Sequence, residues 1–174
     1  MPERIVYLMR GLPSCGKSHL AARLIRDGGV SLETDQYFFT EVGTDPTKFD
    51  YRADLLDAAR DWNFRRFVEA VAAGVSPIVV DRGNSRSIES KHYIQHAYAH
   101  GYQVELKEPD SEWWQEIRVL LKYKQYTKPV LYQWADRLAE MNRRTHRTPV
   151  ATIRHWMDRW KWDLTIEDIL KVKE

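Results

Sequence analysis

The run Ile5-Val6-Tyr7-Leu8-Met9 is continuously apolar and opens onto a glycine-containing turn. A short run of this kind, from Arg4 to Met9, predicts a strand buried on both faces. From His19 to Asp27, Leu20, Leu24 and Ile25 recur at helical spacing, and Gly28-Gly29 closes the segment as a C-terminal cap. Val30 to Thr34 is a weaker strand pattern ending at Asp35. A long helix capped by Asp50 is expected through Ala73, with Leu55, Ala59, Trp62 and Val71 on apolar positions and Gly74 ending it. Val75 to Val80 is a second clear strand and ends at Asp81. Ile88 to His100 reads as a helix closed by Gly101, and Tyr102 to Leu106 as a further strand. This alternation predicts an α/β fold built on a parallel sheet of roughly four to five strands flanked by helices.

Beyond Pro109 the pattern turns wholly helical, with segments expected from Ser111 to Tyr126, Leu131 to Arg144 and Val150 to Trp162. In the last, Ile153, Trp156, Met157 and Trp160 fall on one face and are expected in the core, with Thr148 as N-cap and Pro149 as first helical residue. Thr165 is placed to cap a short final helix from Ile166 to Val172. No repeat, low-complexity tract or Gly/Ser/Pro-rich linker divides residues 1–174, so one domain with a helical region over 110–150 is expected.

Composition narrows the partners. The 27 Lys and Arg against 25 Asp and Glu leave a net charge of +2, which excludes binding of nucleic acid by bulk charge and requires any basic surface to be local. The single cysteine, Cys15, cannot form an intrachain disulfide, in keeping with a cytoplasmic location. The N-terminal apolar run is too short for a signal-peptide core or a membrane span, so no membrane association is expected. Most of the 7 tryptophans are expected in packing roles.

The string Gly11-Leu12-Pro13-Ser14-Cys15-Gly16-Lys17-Ser18 fits G-x-x-x-x-G-K-S, with a strand before it and a helix after. Glycines let backbone N-H groups curl around phosphate oxygens, and the helix start adds unpaired donors. Gly11, Pro13, Ser14, Cys15, Gly16, Lys17, Ser18 and His19 are therefore the candidate nucleotide-binding residues. Lys17 is expected to reach the β- and γ-phosphates, and the Ser18 hydroxyl to ligate magnesium. Cys15 is given no chemical role of its own.

In open α/β sheets, ligands lie beyond the carboxyl ends of the strands, where Asp35 and Asp81 fall. Asp35 fits either activation of an acceptor hydroxyl or a helix N-cap. Asp81 fits either a magnesium contact or a substrate contact. Basic residues gather between Arg118 and Arg147, and Arg143, Arg144 and Arg147 are candidates to stabilise a transferring phosphoryl group from a C-terminal helical lid. His146 is read as a surface or packing residue. No H-x-E or C-x-x-C pairing suggests zinc, and no N-K-x-D string suggests a GTPase switch.

The strings "RGLPSCGKSHLA", "TDQYF", "WNFRRFVEAVAAGVSPIVVDRGN", "HGYQVELKEP", "THRTPVATI" and "LTIEDIL" together resemble the polynucleotide-kinase-like P-loop ATP-binding proteins. The resemblance runs from about Arg4 to Leu170, with Glu116 to Gln133 resembling an insertion. It implies a P-loop kinase-like fold, ATP and Mg2+ as cofactors, and transfer of the γ-phosphoryl group to a hydroxyl, foremost the 5′-hydroxyl of DNA or RNA. By the same resemblance Asp35 is the general base, Lys17 and Ser18 hold phosphate and metal, and Asp81 belongs to a substrate-side motif with Arg82 and Asn84. The family's arginine three residues after the base is Phe38 here, which leaves Arg82 and Arg86 as candidates to hold the acceptor. A modified base, a small molecule, or a non-catalytic nucleotide-binding role are the alternatives.

Overall fold

The computed structural model describes residues 3–41, 53–81, 86–144 and 147–173. Strands β1 (Ile5–Met9), β2 (Val30–Glu33), β3 (Ile78–Asp81) and β4 (Gln103–Lys107) form one sheet, ordered β2-β3-β1-β4, with every pair parallel. Met9 and Glu33 both align with Asp81 in register. The three strands therefore finish level, and the segments that follow them open on one edge of the sheet.

Eight helices accompany the sheet among the described residues: α1 (Lys17–Leu24), α2 (Gln36–Thr40), α3 (Leu56–Ala72), α4 (Ile88–Ala99), α5 (Glu112–Lys122), α6 (Lys124–Met141), α7 (Val150–Asp158) and α8 (Ile166–Leu170). Alternation along β1 sends Val6 and Leu8 to one face and Tyr7 and Met9 to the other. The first pair joins Phe67 and Val71 of α3, Tyr93, Ile94 and Ala97 of α4, and Ile169 of α8 in one core. The second pair packs with Val79 against Ala21, Leu20 and Leu24 of α1. A separate core joins α5, α6 and α7 through Trp114, Ile117, Leu121, Leu131, Ala135, Leu138, Ile153, Met157 and Trp160. No helix among the described residues is long and apolar enough to cross a membrane.

Several boundaries differ from the sequence reading. The second clear strand starts at Ile78 rather than Val75, because the Val75 and Gly74 amides bond back to Ala70 and Val71 and finish α3. The first helix starts at Lys17, since the phosphate-loop motif runs straight into it. The sixth begins at Lys124 instead of Leu131. Pro129 lies inside it as the sixth residue, past the first turn, so its missing N-H leaves one internal hydrogen bond unmade. Thr148 is not the N-cap of α7: Pro149 occupies that position and the Thr148 amide bonds to Asn142 Oδ1 at 2.9 Å. At α8 the expected Thr165 cap is present as a full capping box with Asp168. The proposed caps and contacts at Asp50, Arg82, Asn84 and His146 fall outside the described residues.

Phe67 is fully buried and meets Tyr93 edge-to-face at 4.9 Å, between the sheet and α4. Phe67→Ala should cost about 3–5 kcal/mol of unfolding free energy in urea titration. A loss under about 1 kcal/mol would mean that this interface is not packed as described.

Candidate functional site

The loop between β1 and α1 takes its shape from two glycines for different reasons. At Gly11 a Cβ would come within 3.0 Å of the Pro109 ring and 3.2 Å of the Lys17 side chain, so the constraint is steric. At Gly16 φ is +96°, and the constraint is conformational. Ser14 also holds positive φ, at 61°, uncommon for a residue with a side chain and maintained here by its surroundings. Trp113 Nε1 donates to the Ser14 carbonyl at 2.9 Å, and Ser111 Oγ donates to the Cys15 carbonyl at 2.8 Å. Ser111 Oγ also accepts the Trp114 amide, so the N-cap of α5 is the same atom that ties down the loop.

Leu12 and Cys15 are buried in the core of the α5–α7 helices. The Cys15 side chain packs in that core and is not among those lining the cleft, in line with its having no chemical role of its own. Burial pushes its thiol up to about 12, against a smaller opposing pull from Lys17. Just before the loop, Arg10 is 1% exposed, lies 3.9 Å over the Trp160 ring and donates to the Lys161 carbonyl at 2.9 Å. Burial lowers its pKa to about 10, with Glu108 offsetting part of the cost.

In front of the loop lies a cleft of about 540 Å3. Gly11, Pro13, Ser14, Gly16, Lys17, Ser18 and His19 form one wall. The strand ends supply Glu33, Thr34, Asp35 and Asp81, α3 supplies Leu56 and Arg60, and the helical half supplies Trp113, Met141, Thr148 and Trp156. Lys17 Nζ donates to the Gly11 and Leu12 carbonyls at 3.1 and 3.3 Å, which keeps an ammonium group beside the loop. Ser18 Oγ and Asp81 Oδ2 stand 3.5 Å apart, a weak hydrogen bond at best. A hydroxyl and a carboxylate so placed are hard oxygen donors suited to Mg2+, which usually completes its shell with waters and substrate phosphates. Among the described residues no group of three or more His, Cys, Asp or Glu could form an all-protein cage.

Asp35 stands at the N-cap position of α2, where its side chain makes no capping hydrogen bond to that helix. It shares the cleft with Lys17, Ser18 and Asp81. Arg86 is exposed and is not among the described residues that line this cleft. Arg143, Arg144 and Arg147 are exposed and line a neighbouring cleft that shares Thr148 with the first. Trp113 and Trp156, read from the sequence as packing residues, reach the cleft, as do Arg60 and Glu33. Only Glu33 had a sequence signal, as the last residue of a strand beside Asp35.

Comparison with known proteins agrees with this geometry. Residues 6–118 match the AAA domain family. NEDD4-binding protein 2 from Homo sapiens is 38% identical over 112 residues, covering 63% of this chain and 6% of that protein. YLP motif-containing protein 1 from Homo sapiens is 34% identical over 133 residues, covering 64% of this chain and 6% of that protein. The chain thus spans a small fraction of the curated relatives it matches. A chain in the structure of the Pnkp1/Rnl/Hen1 RNA repair complex shares the fold, with a TM-score of 0.59 at 14% identity over 91% of this chain and 44% of that one. That likeness carries the fold past residue 118 into the helical half. The fold is that of P-loop kinase-like, nucleotide-binding proteins.

Two measurements follow. The Cys15 thiol should stay unmodified by a disulfide reagent from pH 7 to 9 in the folded protein and react only on unfolding, because no thiolate forms well below about 12. Fast native-state labelling would contradict its burial. Trp113→Phe keeps an aromatic ring and removes the bond to Ser14, and should weaken nucleotide binding by about threefold to tenfold in calorimetry, as loss of one hydrogen bond implies.

Proposed function

The chain belongs to the AAA domain family, and from that premise we propose that it is an ATP- and Mg2+-dependent kinase whose acceptor is a hydroxyl, foremost the 5′-hydroxyl of a nucleic acid. One observation carries the reading: Asp35 and Lys17 line the same cleft, an acid on the strand-end wall and a cation on the loop wall.

In this reading the loop amides and the start of α1 bind the β- and γ-phosphates, and Lys17 Nζ moves from the Gly11 and Leu12 carbonyls to a phosphate oxygen. Ser18 and Asp81 are the residues that would hold Mg2+. When bound, that ion neutralises charge on the phosphate oxygens. The Asp35 carboxylate accepts the proton of the acceptor hydroxyl as its oxygen attacks the γ-phosphorus. The bond from phosphorus to the β,γ-bridging oxygen breaks, and ADP leaves with the electron pair. An arginine among Arg143, Arg144 and Arg147 stabilises the charge on the transferring group. Trp113, Trp156 and Met141 offer an apolar surface on which a nucleobase stacks.

A nucleic-acid acceptor is supported by the shared fold with a chain of an RNA repair complex. A second reading, a modified base or small-molecule hydroxyl, is favoured by the acceptor side of the cleft. Phe38 is fully buried against Ala59 and Leu55, so the position three residues after Asp35 offers no cation. Arg60, paired with Glu89 at 3.2 Å, is the described arginine that lines that side.

With labelled ATP, Mg2+ and 5′-hydroxyl oligonucleotides, the protein should transfer label to the oligonucleotide. Asp35→Asn should reduce that rate by about 100-fold or more while leaving ATP affinity within about threefold. An unchanged rate removes Asp35 from the base role. Label appearing only on small hydroxyl compounds favours the second reading.

A further inference from the structure

The turn between α6 and α7 is organised by one buried amide. Asn142 is fully buried and ends α6, and its side chain faces both arms of the turn. Its Nδ2 donates to the Leu138 carbonyl at 3.0 Å, anchoring the side chain to the last turn of α6. Its Oδ1 accepts the Thr148 amide at 2.9 Å, and its carbonyl accepts the Arg147 amide, also at 2.9 Å. A buried amide engaged in this way is costly to disturb, because each partner lost leaves another polar group desolvated.

The sequence enclosed by these bonds, residues 143–147, holds Arg143, Arg144 and Arg147. Arg147 sits at φ 51°, a left-handed conformation that bulky residues seldom adopt without compensation, and its own amide bond to Asn142 supplies some. The two residues that flank the enclosed segment and Asn142, Met141 and Thr148, line the phosphate-loop cleft, and Thr148 also lines the arginine cleft. Asn142 therefore ties Arg147 and Thr148 to the end of α6, next to Arg143 and Arg144.

We propose that Asn142 is a positioning residue that holds this arginine segment toward the polyphosphate of the bound nucleotide, acting through the arginines and touching no substrate itself. The proposal rests on the nucleotide-binding part of the function proposed above and deepens it. It requires neither a known acceptor nor completed transfer.

The test is ATP binding with Mg2+, by calorimetry, on the full chain. Asn142→Leu keeps the volume and removes the side-chain hydrogen bonds to Leu138 and Thr148, and Asn142→Ala serves if the leucine variant does not fold. Either should weaken ATP binding by about tenfold, the scale of one charge-assisted hydrogen bond. In a background with Arg143, Arg144 and Arg147 all changed to alanine, the same Asn142 substitution should produce no further loss, because the groups it positions are gone. A folded Asn142 variant with wild-type affinity overturns the proposal, as does a loss of equal size in the arginine-free background, which would mark a merely structural effect. A wild-type chain that binds ATP but phosphorylates no hydroxyl would remove the kinase reading and leave this measurement decisive. A chain that binds no ATP would overturn both.

Discussion

A phosphate-binding loop is useful only if its amides are already aimed when the anion arrives, and in this protein the aiming is done from behind. Pro109 lies against Gly11, Ser111 and Trp113 bond to the carbonyls of Cys15 and Ser14, and Leu12 and Cys15 are sunk into a helical core. With the Ser14 and Cys15 carbonyls held by the helical half, the loop backbone is fixed along one wall of the cleft. The positive φ values at Ser14 and Gly16 are the conformational cost of that arrangement. They are balanced by contacts from a distant part of the chain, Ser14 and Trp113 being 99 residues apart.

The helical half thus both lines the cleft and braces the loop. Its core encloses two loop side chains, and its N-terminal helix cap is shared with the loop. Arg10 adds a second tie at the entrance to the loop. Its guanidinium is desolvated, yet it gains the Trp160 face, the Lys161 carbonyl and Glu108 at 4.0 Å. Removing any one partner of such a buried cation costs more than the pair contributes, so the group specifies one arrangement of sheet and helices. Trp156 and Met141 of the same half also line the cleft. Phosphate grip and cleft shape therefore depend on one body of packing.

How far the sequence disclosed this depended on the range of the interaction. Local signals were clear: the continuous run of β1, the glycine pattern of the loop, the acids after β2 and β3, and the Thr165 cap all operate within a few residues. Strand and helix identity followed, while edges slipped where backbone bonds were decided by neighbours, as at Val75 and Thr148. The roles of Trp113 and Trp156 were illegible because a tryptophan at helical spacing looks the same whether its edge meets a core or a cleft. Cys15 sat inside a motif whose backbone carries the function, so membership in the motif said nothing about where its side chain goes. Arg60 gave no signal because its place on the cleft wall depends on the packing of α2 on α3 around Phe38 and Ala59.

The account comes down to a triphosphate held on one wall of a cleft and a hydroxyl activated on the other, so that the phosphoryl group crosses in a single in-line displacement. Phosphorus stereochemistry reads that directly. With ATP bearing a chiral thiophosphoryl γ-group and the acceptor it phosphorylates, the account predicts inversion at phosphorus in the product. Retention would mean that a side chain carries the phosphoryl group between two displacements, and would contradict it.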